Sequence, residues 1–347
     1  MEDRGVQPLP FGEADDGSCP VRFHLTHRGG DVTRRFVAIV LVLAAWIGGT
    51  VAGSLGQVPA AASNPGILIG KAHADYTPSL TGSKPIVILA VGSGARPGED
   101  LLHSLSDSLH LIFLNPDQHH ATMVGIPRDS WVDIPGHGSN KINSALATGG
   151  PDLMVQTIES RFGVHIDYWA ITTFWGFKAM IDKIGGLAVN VPFRMLDTYS
   201  GVDLQAGAQR LNGEQALAMA RDRHSLLAGD FGRQEDGGRL ILAALAQFQK
   251  EYDKDPSALL TWIGAGLSNM STTLTVDQVL QLAYTVTAQP VKNVQNIVLP
   301  GSSASIGGLS AVALNTAAAS AIFRDVTPDG IVSKKNAPPS PTANQPR

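Results

Sequence analysis

PIVILAVGSGARPG, residues 85–98, predicts the class of fold that this chain adopts. Its first seven residues are a continuous apolar run without alternation, which is typical of a strand buried on both faces of a sheet. The run ends in a glycine-containing loop at the carboxyl end of that strand, where α/β proteins usually place their sites. The stretch therefore predicts an α/β fold with part of a binding site in residues 92–98.

Other periodic segments extend this prediction along the chain. Further strands are predicted at 109–114, 121–126, 131–134, 187–191 and 294–299. Further helices are predicted at 152–162, at 174–184, in two pieces over 256–288, and at 314–323. From the order of these elements we expect an α/β fold of three layers, with flanking helices on a central mixed sheet.

Four aromatic residues follow one another closely in the middle of the chain. They are Trp169, Phe174, Trp175 and Phe177. They could form the apolar wall of a ligand site, although packing in a protein core is the more frequent role of such side chains.

Charge and cysteine content exclude several classes of function. The net charge is −4, so the chain has no basic footprint for nucleic acid. Cys19 is the only cysteine, which rules out a disulfide framework and a cysteine-based metal site.

An apolar segment ahead of the α/β domain predicts a membrane anchor. Residues 36–55 contain no charged side chain, and as a helix they would span roughly 30 Å of hydrocarbon. Arg34 and Arg35 precede the segment, which predicts a cytoplasmic N-terminus. A cleaved signal peptide is the alternative, because small residues follow at 60–62, but the long tail before the apolar run favours an anchor.

The expected layout has five parts. We expect a disordered cytoplasmic tail over 1–35, a transmembrane helix over 36–55, a linker over 56–83, an extracytoplasmic domain over 84–330 and a disordered tail over 331–347. The protein would then be a single-pass protein of the cell membrane.

The segment MARDRHSLLAGDFGRQ, residues 219–234, contains three arginines, one histidine and two aspartates in sixteen residues. Asn212 and Gln215 predict the start of a helix before it, and Gly229 and Gly232 interrupt the chain before a second helix begins near Arg233. Two helices joined by a glycine-containing loop would bring several guanidinium groups together, and such groups bind phosphate oxygens in pairs. A solvated helix end with salt bridges is the alternative interpretation.

Motifs over residues 85–325 resemble those of the LytR–CpsA–Psr (LCP) family. In chain order they read IPRDS from Ile126, DIPGHG from Asp133, NKIN from Asn140, LNGEQAL from Leu211, and RDRH and GDFGRQ within residues 221–234. The resemblance implies an LCP-like fold with a lipid-tail pocket in the α/β core. It also implies an enzyme on the outer face of the membrane that attaches a glycopolymer from a polyprenyl pyrophosphate carrier to peptidoglycan, with Mg²⁺ as cofactor.

The same resemblance suggests the site residues. Arg128, Arg221 and Arg233 match arginines that bind the pyrophosphate, and Asp230 matches an acidic residue of the site. Asp107 matches one of two aspartates that hold the metal or activate the acceptor. Phosphoryl transfer depends mainly on positioning and charge stabilisation, which fits several fixed cations. Further substrate-binding candidates are Arg96 and Gln234, on motif positions, and Lys141 and Arg223, which orienting salt bridges would explain equally well.

Two positions depart from the family pattern. Gly94 stands where the family usually has an aspartate, and Leu105 stands where it usually has an arginine. Because Mg²⁺ prefers carboxylate oxygens, the loss of one aspartate weakens the expected metal site. Glu99 or Asp100, in the same loop, could supply the missing carboxylate.

These departures leave alternatives to the transferase. The chain could be a degenerate relative that binds polyprenyl-linked glycan without turning it over. Hydrolysis of the same lipid pyrophosphate is a second variant of the chemistry. A transcriptional regulator is disfavoured, because the chain has an expected membrane span and no basic helix for reading DNA.

Overall fold

The computed structural model describes residues 67–75, 82–267, 270–287 and 289–345. The expected cytoplasmic tail, the transmembrane helix at 36–55 and most of the linker lie outside these ranges. None of the helices inside them combines the length and the apolar character needed to cross a membrane.

The elements follow in chain order. The strands are β1 (Ile67–Lys71), β2 (Ile86–Ser93), β3 (Ser106–Asn115), β4 (His120–Gly125), β5 (Trp131–Ile134), β6 (Gly138–Lys141), β7 (Tyr168–Thr173), β8 (Leu187–Val191), β9 (Met195–Asp197), β10 (Val202–Leu204), β11 (Gly207–Leu211), β12 (Met270–Thr272), β13 (Val294–Val298), β14 (Gly301–Ile306) and β15 (Leu309–Leu314). The α-helices are α1 (Ser144–Phe162), α2 (Phe174–Lys183), α3 (Gly213–Arg221), α4 (Asp230–Lys254), α5 (Ala258–Leu267), α6 (Val276–Thr287) and α7 (Thr316–Asp329).

Seven strands form the central mixed sheet, in the spatial order β12-β1-β7-β2-β3-β4-β13. The strand β2 lies in the middle, antiparallel to β3 and parallel to β7. This position explains its apolar run, because both faces of a central strand are covered. The predicted strands at 85–91, 109–114 and 121–126 are confirmed as β2, β3 and β4.

Helices cover both faces of the sheet, which confirms the mixed-sheet α/β fold. Side chains of β2 that point to one face, such as Val87 and Leu89, share a core with Met154 of α1 and Phe323 of α7. The alternate side chains, such as Ile88, pack on the opposite face with residues of α6. The helix α4 also contacts the sheet through β3, β4 and β13.

A second core joins α2 and α3 to the small antiparallel strand pairs β8–β11 and β9–β10. This core lies beside the sheet and fixes α2, α3 and the start of α4. It therefore positions the arginine-rich segment, whose first helix ends at Arg221.

The domain begins earlier in the chain than the predicted boundary at residue 84. Residues 67–71, inside the expected linker, form β1, which pairs antiparallel with β7 and parallel with β12. The strand is only five residues long and contains a glycine, so its sequence pattern is hard to distinguish from the small-residue segment around it.

Residues 331–345 form defined contacts, although disorder is predicted over 331–347. The Thr342 N–H and hydroxyl donate to the Glu235 carboxylate at 3.1 and 2.7 Å, and the Gln345 side chain bonds the backbone of Ser225 and Leu227. Glu235 lies on α4 and is buried. A buried carboxylate needs hydrogen-bond donors, and the tail supplies them through Thr342. A polar composition therefore does not imply a free tail in this protein.

Candidate active site

The helix α3 ends at Arg221 and packs against α4. Its N-terminus carries the predicted capping box: Asn212 Oδ1 accepts from the Gln215 N–H at 2.9 Å, and Gln215 Oε1 accepts from the Asn212 N–H at 3.0 Å. Gly229 has a φ of 52°, which favours glycine, and α4 begins at the next residue. The second helix thus starts at Asp230, three residues before the expected position, and includes both Asp230 and Arg233.

Asp230 and Arg233 form a buried ion pair in the first turn of α4. Arg233 Nη2 lies 2.5 Å from Asp230 Oδ1, and the two side chains are 9% and 12% exposed. The contact lacks hydrogen-bond alignment: within the described part of the chain, both Asp230 oxygens and Arg233 Nε and Nη2 have no hydrogen-bond partner. Buried polar groups without partners are rare, so this pair is suited to receiving a polar ligand.

Burial favours the uncharged form of both side chains and shifts their pKa values accordingly. It raises the pKa of Asp230, although the charges of Arg233 and Arg128 act in the opposite direction. It lowers the pKa of Arg233, although the charge of Asp230 raises it. An anionic ligand would compensate the buried guanidinium and would favour its charged form.

Arg128 follows β4 and pairs with Asp107 at the start of β3, through Nη1 and Oδ1. Arg128 Nε also lies 3.9 Å from Asp129 Oδ2, and Lys141 Nζ lies 3.2 Å from Asp129 Oδ1. Lys141 thus fastens the β5–β6 hairpin to the segment that carries Arg128. Of the two alternatives for Lys141, substrate binding and an orienting salt bridge, the structure shows the salt bridge.

Arg221 and Arg223 supply two more cationic side chains. The Arg221 guanidinium carbon lies 5.2 Å from the centre of the Phe174 ring, which holds the side chain over an aromatic face. Both arginines are exposed, whereas Arg233 is buried. The cluster therefore combines one fixed internal cation with cations that face solvent.

A cavity of about 560 Å³ opens beside these arginines. Its charged side is lined by Asp107, Arg128, Arg221, Arg223 and Arg233. Its interior is mostly apolar and is lined by residues such as Val91, Ala170, Phe174, Phe177, Ile181, Leu217, Leu240 and Ile241. The cavity thus suits an amphiphile with an anionic head and an apolar chain.

Three of the four aromatic residues take one of the two roles left open by the sequence, and Trp175 takes neither. Phe174 and Phe177 line the cavity, so they form the apolar wall. Trp169 belongs to the core of the sheet, and Trp175 is 51% exposed.

His110 is a polar residue of the cavity that the sequence did not indicate. It is buried on β3, with Nε2 3.0 Å from the Gln234 carbonyl oxygen and Nδ1 3.2 Å from Ser108 Oγ. Burial lowers the pKa of His110, which keeps the imidazole neutral. Its neighbours in β3, Leu109 and Leu111, are apolar, so the sequence indicates a buried strand and gives no local sign of a polar site residue.

An Asp–His pair on another part of the same cavity was also missed. His224 Nδ1 lies 3.1 Å from Asp197 Oδ2, and the Tyr199 ring lies 4.6 Å from the imidazole. Burial opposes the charged form of Asp197, but hydrogen bonds from the Tyr199 N–H and His224 outweigh it and hold the pKa of Asp197 below its usual range. Asp197 lies far from His224 in sequence, so no local motif connects them.

Of the predicted site residues, Arg96, Lys141, Asp230 and Gln234 do not line the cavity. Arg96 is exposed, and its N–H donates to Glu99 Oε2 at 2.8 Å within the loop after β2. Gln234 is 1% exposed; its carbonyl accepts from His110, while in the described structure its side-chain amide has no partner. The connection of Gln234 with the cavity is therefore indirect, through the hydrogen bond of its carbonyl with His110.

Glu99 and Asp100 do not replace the missing aspartate. Glu99 accepts from Arg96, and Asp100 accepts from the Leu102 N–H at 2.8 Å and contacts His103 Nδ1 at 2.7 Å. Both carboxylates are thus used inside their own turn, and neither lines the cavity. The suggestion that one of them compensates for Gly94 is wrong.

The site offers oxygen ligands to a divalent cation. Asp107 brings one carboxylate to the cavity, and the Asp230 oxygens nearby lack aligned donors in the described chain. Mg²⁺ is usually held by one or two carboxylates together with substrate phosphates and water. The residues present therefore fit a cation that reaches the site with an anionic ligand.

The family model described as the LytR_cpsA_psr family matches residues 63–326. The chain belongs to this family. The resemblance found in its motifs is therefore confirmed, and the central sheet, the arginine cluster and the apolar cavity all lie within the matched residues.

Curated relatives carry names from cell-wall assembly. The chain is 36% identical over 228 residues to the polyisoprenyl-teichoic acid–peptidoglycan teichoic acid transferase TagU of Bacillus mycoides (strain KBAB4), a match covering 65% of this chain and 72% of that protein. It is 35% identical over 178 residues to the regulatory protein MsrR of Staphylococcus aureus (strain COL), covering 49% and 53% of the two chains.

Solved structures share the fold. B. subtilis TagV superposes with a TM-score of 0.56 at 28% identity, covering 70% of this chain and 97% of that chain. TagT with bound octaprenyl pyrophosphate lipid superposes with a TM-score of 0.56 at 24% identity, covering 74% and 95% of the two chains.

Proposed function

We propose that this protein is a membrane-anchored phosphotransferase that attaches a glycopolymer from a polyprenyl pyrophosphate carrier to peptidoglycan. The observation that carries the proposal is the apolar cavity of about 560 Å³ that is bordered by four arginines. A polyprenyl pyrophosphate has the matching chemistry, an apolar chain that ends in a polyanion. The relative named a teichoic acid transferase supports the same reaction.

The arginines would hold the pyrophosphate between the two helices and the end of β4. Arg233 is buried with unused N–H groups, so it offers donors in a fixed position. Arg128, Arg221 and Arg223 would add charge from the other sides of the cavity. Fixed cations that are already desolvated stabilise the charge that develops on transferring phosphoryl oxygens.

Phosphoryl transfer at this site would form one P–O bond and break another. A hydroxyl of peptidoglycan attacks the phosphorus that carries the glycan, and polyprenyl monophosphate leaves. The hydroxyl proton passes to solvent or to a carboxylate at the edge of the cavity, where Asp107 lies. The apolar lining would keep the leaving lipid phosphate in place until the glycan has been transferred.

Mg²⁺ is the proposed cofactor, and Asp107 would be the residue of this chain that holds it. When bound, such an ion neutralises phosphate charge and orients the reacting groups. Asp107 is already paired with Arg128, so the cation and the guanidinium would share one carboxylate.

The proposed location is the cell membrane, with the α/β domain outside the cytoplasm. The uncharged segment 36–55 and the preceding Arg34 and Arg35 support a single span with a cytoplasmic N-terminus. The name of the TagU relative supports a function in the cell envelope.

Release of polyprenyl monophosphate from a lipid-linked pyrophosphate donor tests the proposal. The assay uses the full chain with Mg²⁺, once with peptidoglycan fragments and once without them. Release that requires the acceptor supports transfer, and release without it indicates hydrolysis. Saturable binding of the donor without release in either condition would overturn the enzymatic function.

A non-catalytic binding function is the second candidate, and Gly94 is the observation that favours it. The glycine leaves Asp107 without a second family carboxylate, and Asp107 is itself engaged by Arg128. A protein of this kind would retain the arginine cluster and the cavity but would hold the lipid-linked glycan without turnover.

A further inference from the structure

A second cluster of ligating side chains lies away from the arginines. His73 Nε2 lies 3.0 Å from Glu159 Oε1, and His165 Nδ1 lies 3.3 Å from the same oxygen. The two imidazole rings stack with their centres 4.6 Å apart. One ligating atom from each of the three residues can be chosen so that all lie within 4.8 Å of one another.

The backbone around the cluster fixes these side chains. Glu159 lies in the last two turns of α1, and His165 lies in the loop between α1 and β7. The Ile166 N–H donates to Glu159 Oε1 at 2.8 Å, which holds that loop against the helix. The Ala72 N–H donates to the Asp167 carbonyl at 2.9 Å, which sets His73 beside the same loop.

The composition and spacing of the cluster suit a transition metal. Zn²⁺ binds His nitrogen and carboxylate oxygen at about 2.0–2.2 Å, so neighbouring ligand atoms of a tetrahedral site are separated by roughly 3.3 Å. The two distances to Glu159 Oε1 are close to that separation. Imidazole ligands favour Zn²⁺, Cu²⁺ or Ni²⁺ over Mg²⁺, which prefers oxygen alone.

The surroundings leave room for the remaining ligands. The side chains of His73, Glu159 and His165 are 39%, 20% and 57% exposed, so water reaches the cluster. A cleft of about 500 Å³ beside it is lined by His73, Glu159, Asp152 and Gln156. Water or one of these oxygens can complete a coordination sphere that the three side chains begin.

We propose that His73, Glu159 and His165 bind a divalent transition metal of the Zn²⁺ class. The site is separate from the pyrophosphate site, because none of the three residues lines the apolar cavity. The bound metal links the segment that follows β1 to the end of α1. It therefore secures the first strand of the sheet, and metal binding adds to the stability of the fold.

Metal titration of the full chain tests this site independently of the transferase reaction. The metal-free protein is titrated with Co²⁺ in excess Mg²⁺, and the visible d–d spectrum and the melting temperature are recorded; Zn²⁺ is then added in competition. We expect one equivalent of Co²⁺ in an imidazole-containing environment, displacement by Zn²⁺, and a higher melting temperature with either metal.

Each of three variants should fail to bind the Co²⁺ equivalent and should show no rise in melting temperature with metal. They are His73→Gln, His165→Gln and Glu159→Gln. Glu159→Gln retains an oxygen for the Ile166 N–H, so it removes the charged ligand while keeping that hydrogen bond. His137→Gln is the matched control, since His137 is an exposed histidine in the β5–β6 turn. Equal metal binding by wild type and all variants, or no binding by the wild type, would overturn the proposal and leave the cluster a hydrogen-bonded network.

Discussion

Gly94 lies against the carboxylate of Asp107, and a Cβ atom at residue 94 would be 2.7 Å from Asp107 Oδ2. The Gly94 N–H donates to the Leu105 carbonyl at 2.8 Å, so this close approach is set by the backbone. The position of the missing family carboxylate is therefore directly beside the one that remains. Gly94 does not have a positive φ, but the Leu105 carbonyl oxygen would lie 3.2 Å from the new Cβ, so the backbone there has to move slightly.

The first prediction is that Gly94→Asp tightens Mg²⁺ binding and raises transfer activity. A second carboxylate beside Asp107 supplies another oxygen ligand of the kind that Mg²⁺ prefers. Asp107 has to move by a few tenths of an ångström or more to admit the new Cβ, and its side chain can rotate to do so. Mg²⁺ titration by calorimetry and turnover of the lipid donor measure the two effects.

Three further variants act as controls for that change. Leu105 is 51% exposed, so Leu105→Arg should add a weaker phosphate contact and no metal ligand. Glu99→Ala and Asp100→Ala should leave the Mg²⁺ affinity unchanged, because both carboxylates bond within their own turn. A Gly94→Asp protein with unaltered Mg²⁺ affinity would contradict a metal site that lacks one carboxylate beside Asp107.

Much of this site could be predicted from the sequence, because its parts lie in local motifs. The capping box at Asn212 and Gln215 and the arginines that follow it are separated by a few residues, and α-helix geometry brings them together. The apolar run of β2 likewise indicates a covered strand without knowledge of its neighbours.

The remainder depends on contacts between distant segments. Asp197 and His224 meet because β9 and the loop after α3 face one cavity, and neither residue has a local signature. The tail residue Thr342 is ordered by a buried carboxylate on α4, over a hundred residues earlier. Gly94 and Asp107 are adjacent only because β2 and β3 pair, and the motif itself does not reveal that pairing.

The second prediction separates the exposed arginines from the buried one. Arg221→Ala should weaken binding of polyprenyl pyrophosphate by roughly 1.5–3 kcal/mol, or one to two decades in Kd, without a change in stability. Arg221→Lys should recover little of this affinity, since lysine lacks the planar fork. Binding to the lipid in detergent and thermal melting provide the two readouts, with Arg161→Ala on α1 as the control. Full lipid affinity in Arg221→Ala would show that this exposed side chain does not contact the pyrophosphate.

The third prediction concerns the buried pair of Asp230 and Arg233. Arg233→Ala should reduce both lipid affinity and stability, because it leaves a buried carboxylate without its cation, a loss of about 3–5 kcal/mol. The double variant Arg233→Ala with Asp230→Asn should regain much of the stability and none of the affinity. Urea unfolding and lipid binding of the same samples separate the loss of stability from the loss of lipid affinity. Recovery of lipid affinity in the double variant would mean that the arginine does not contact the pyrophosphate.

The fourth prediction is a pH dependence of stability from Asp236. Burial raises the pKa of Asp236 to about 7, although Arg239, whose Nη1 lies 2.5 Å from Oδ1, opposes this shift. The folded protein then binds a proton that the unfolded chain, with an ordinary value of 3.8, has released. The contribution of Asp236 to the free energy of unfolding therefore falls as the pH rises from about 4 to about 7.

Asp236→Asn should remove that part of the pH dependence. Urea unfolding of wild type and variant at pH 5 and at pH 8 gives the comparison, and the wild type should lose more stability than the variant between the two. Parallel losses in the two proteins would contradict a raised pKa at Asp236.

The fifth prediction concerns topology. Because Arg34 and Arg35 precede the uncharged segment, Cys19 should be protected from an impermeant thiol reagent in intact cells and should react after permeabilisation. The α/β domain should be accessible to protease added to spheroplasts. Labelling of Cys19 in intact cells would contradict a cytoplasmic N-terminus.

Transfer of the glycan phosphate is the reaction on which the proposed function depends. The direct measurement is mass spectrometry of peptidoglycan fragments incubated with a polyprenyl pyrophosphate-linked glycan, Mg²⁺ and the full chain, with Arg221→Ala in parallel. We expect a fragment that has gained the glycan and one phosphate, formed in step with polyprenyl monophosphate, abolished by chelation of Mg²⁺ and strongly reduced in the variant. A donor that is bound at saturation but never yields a modified fragment, in wild type and in Gly94→Asp alike, would contradict the transferase function and support the binding one.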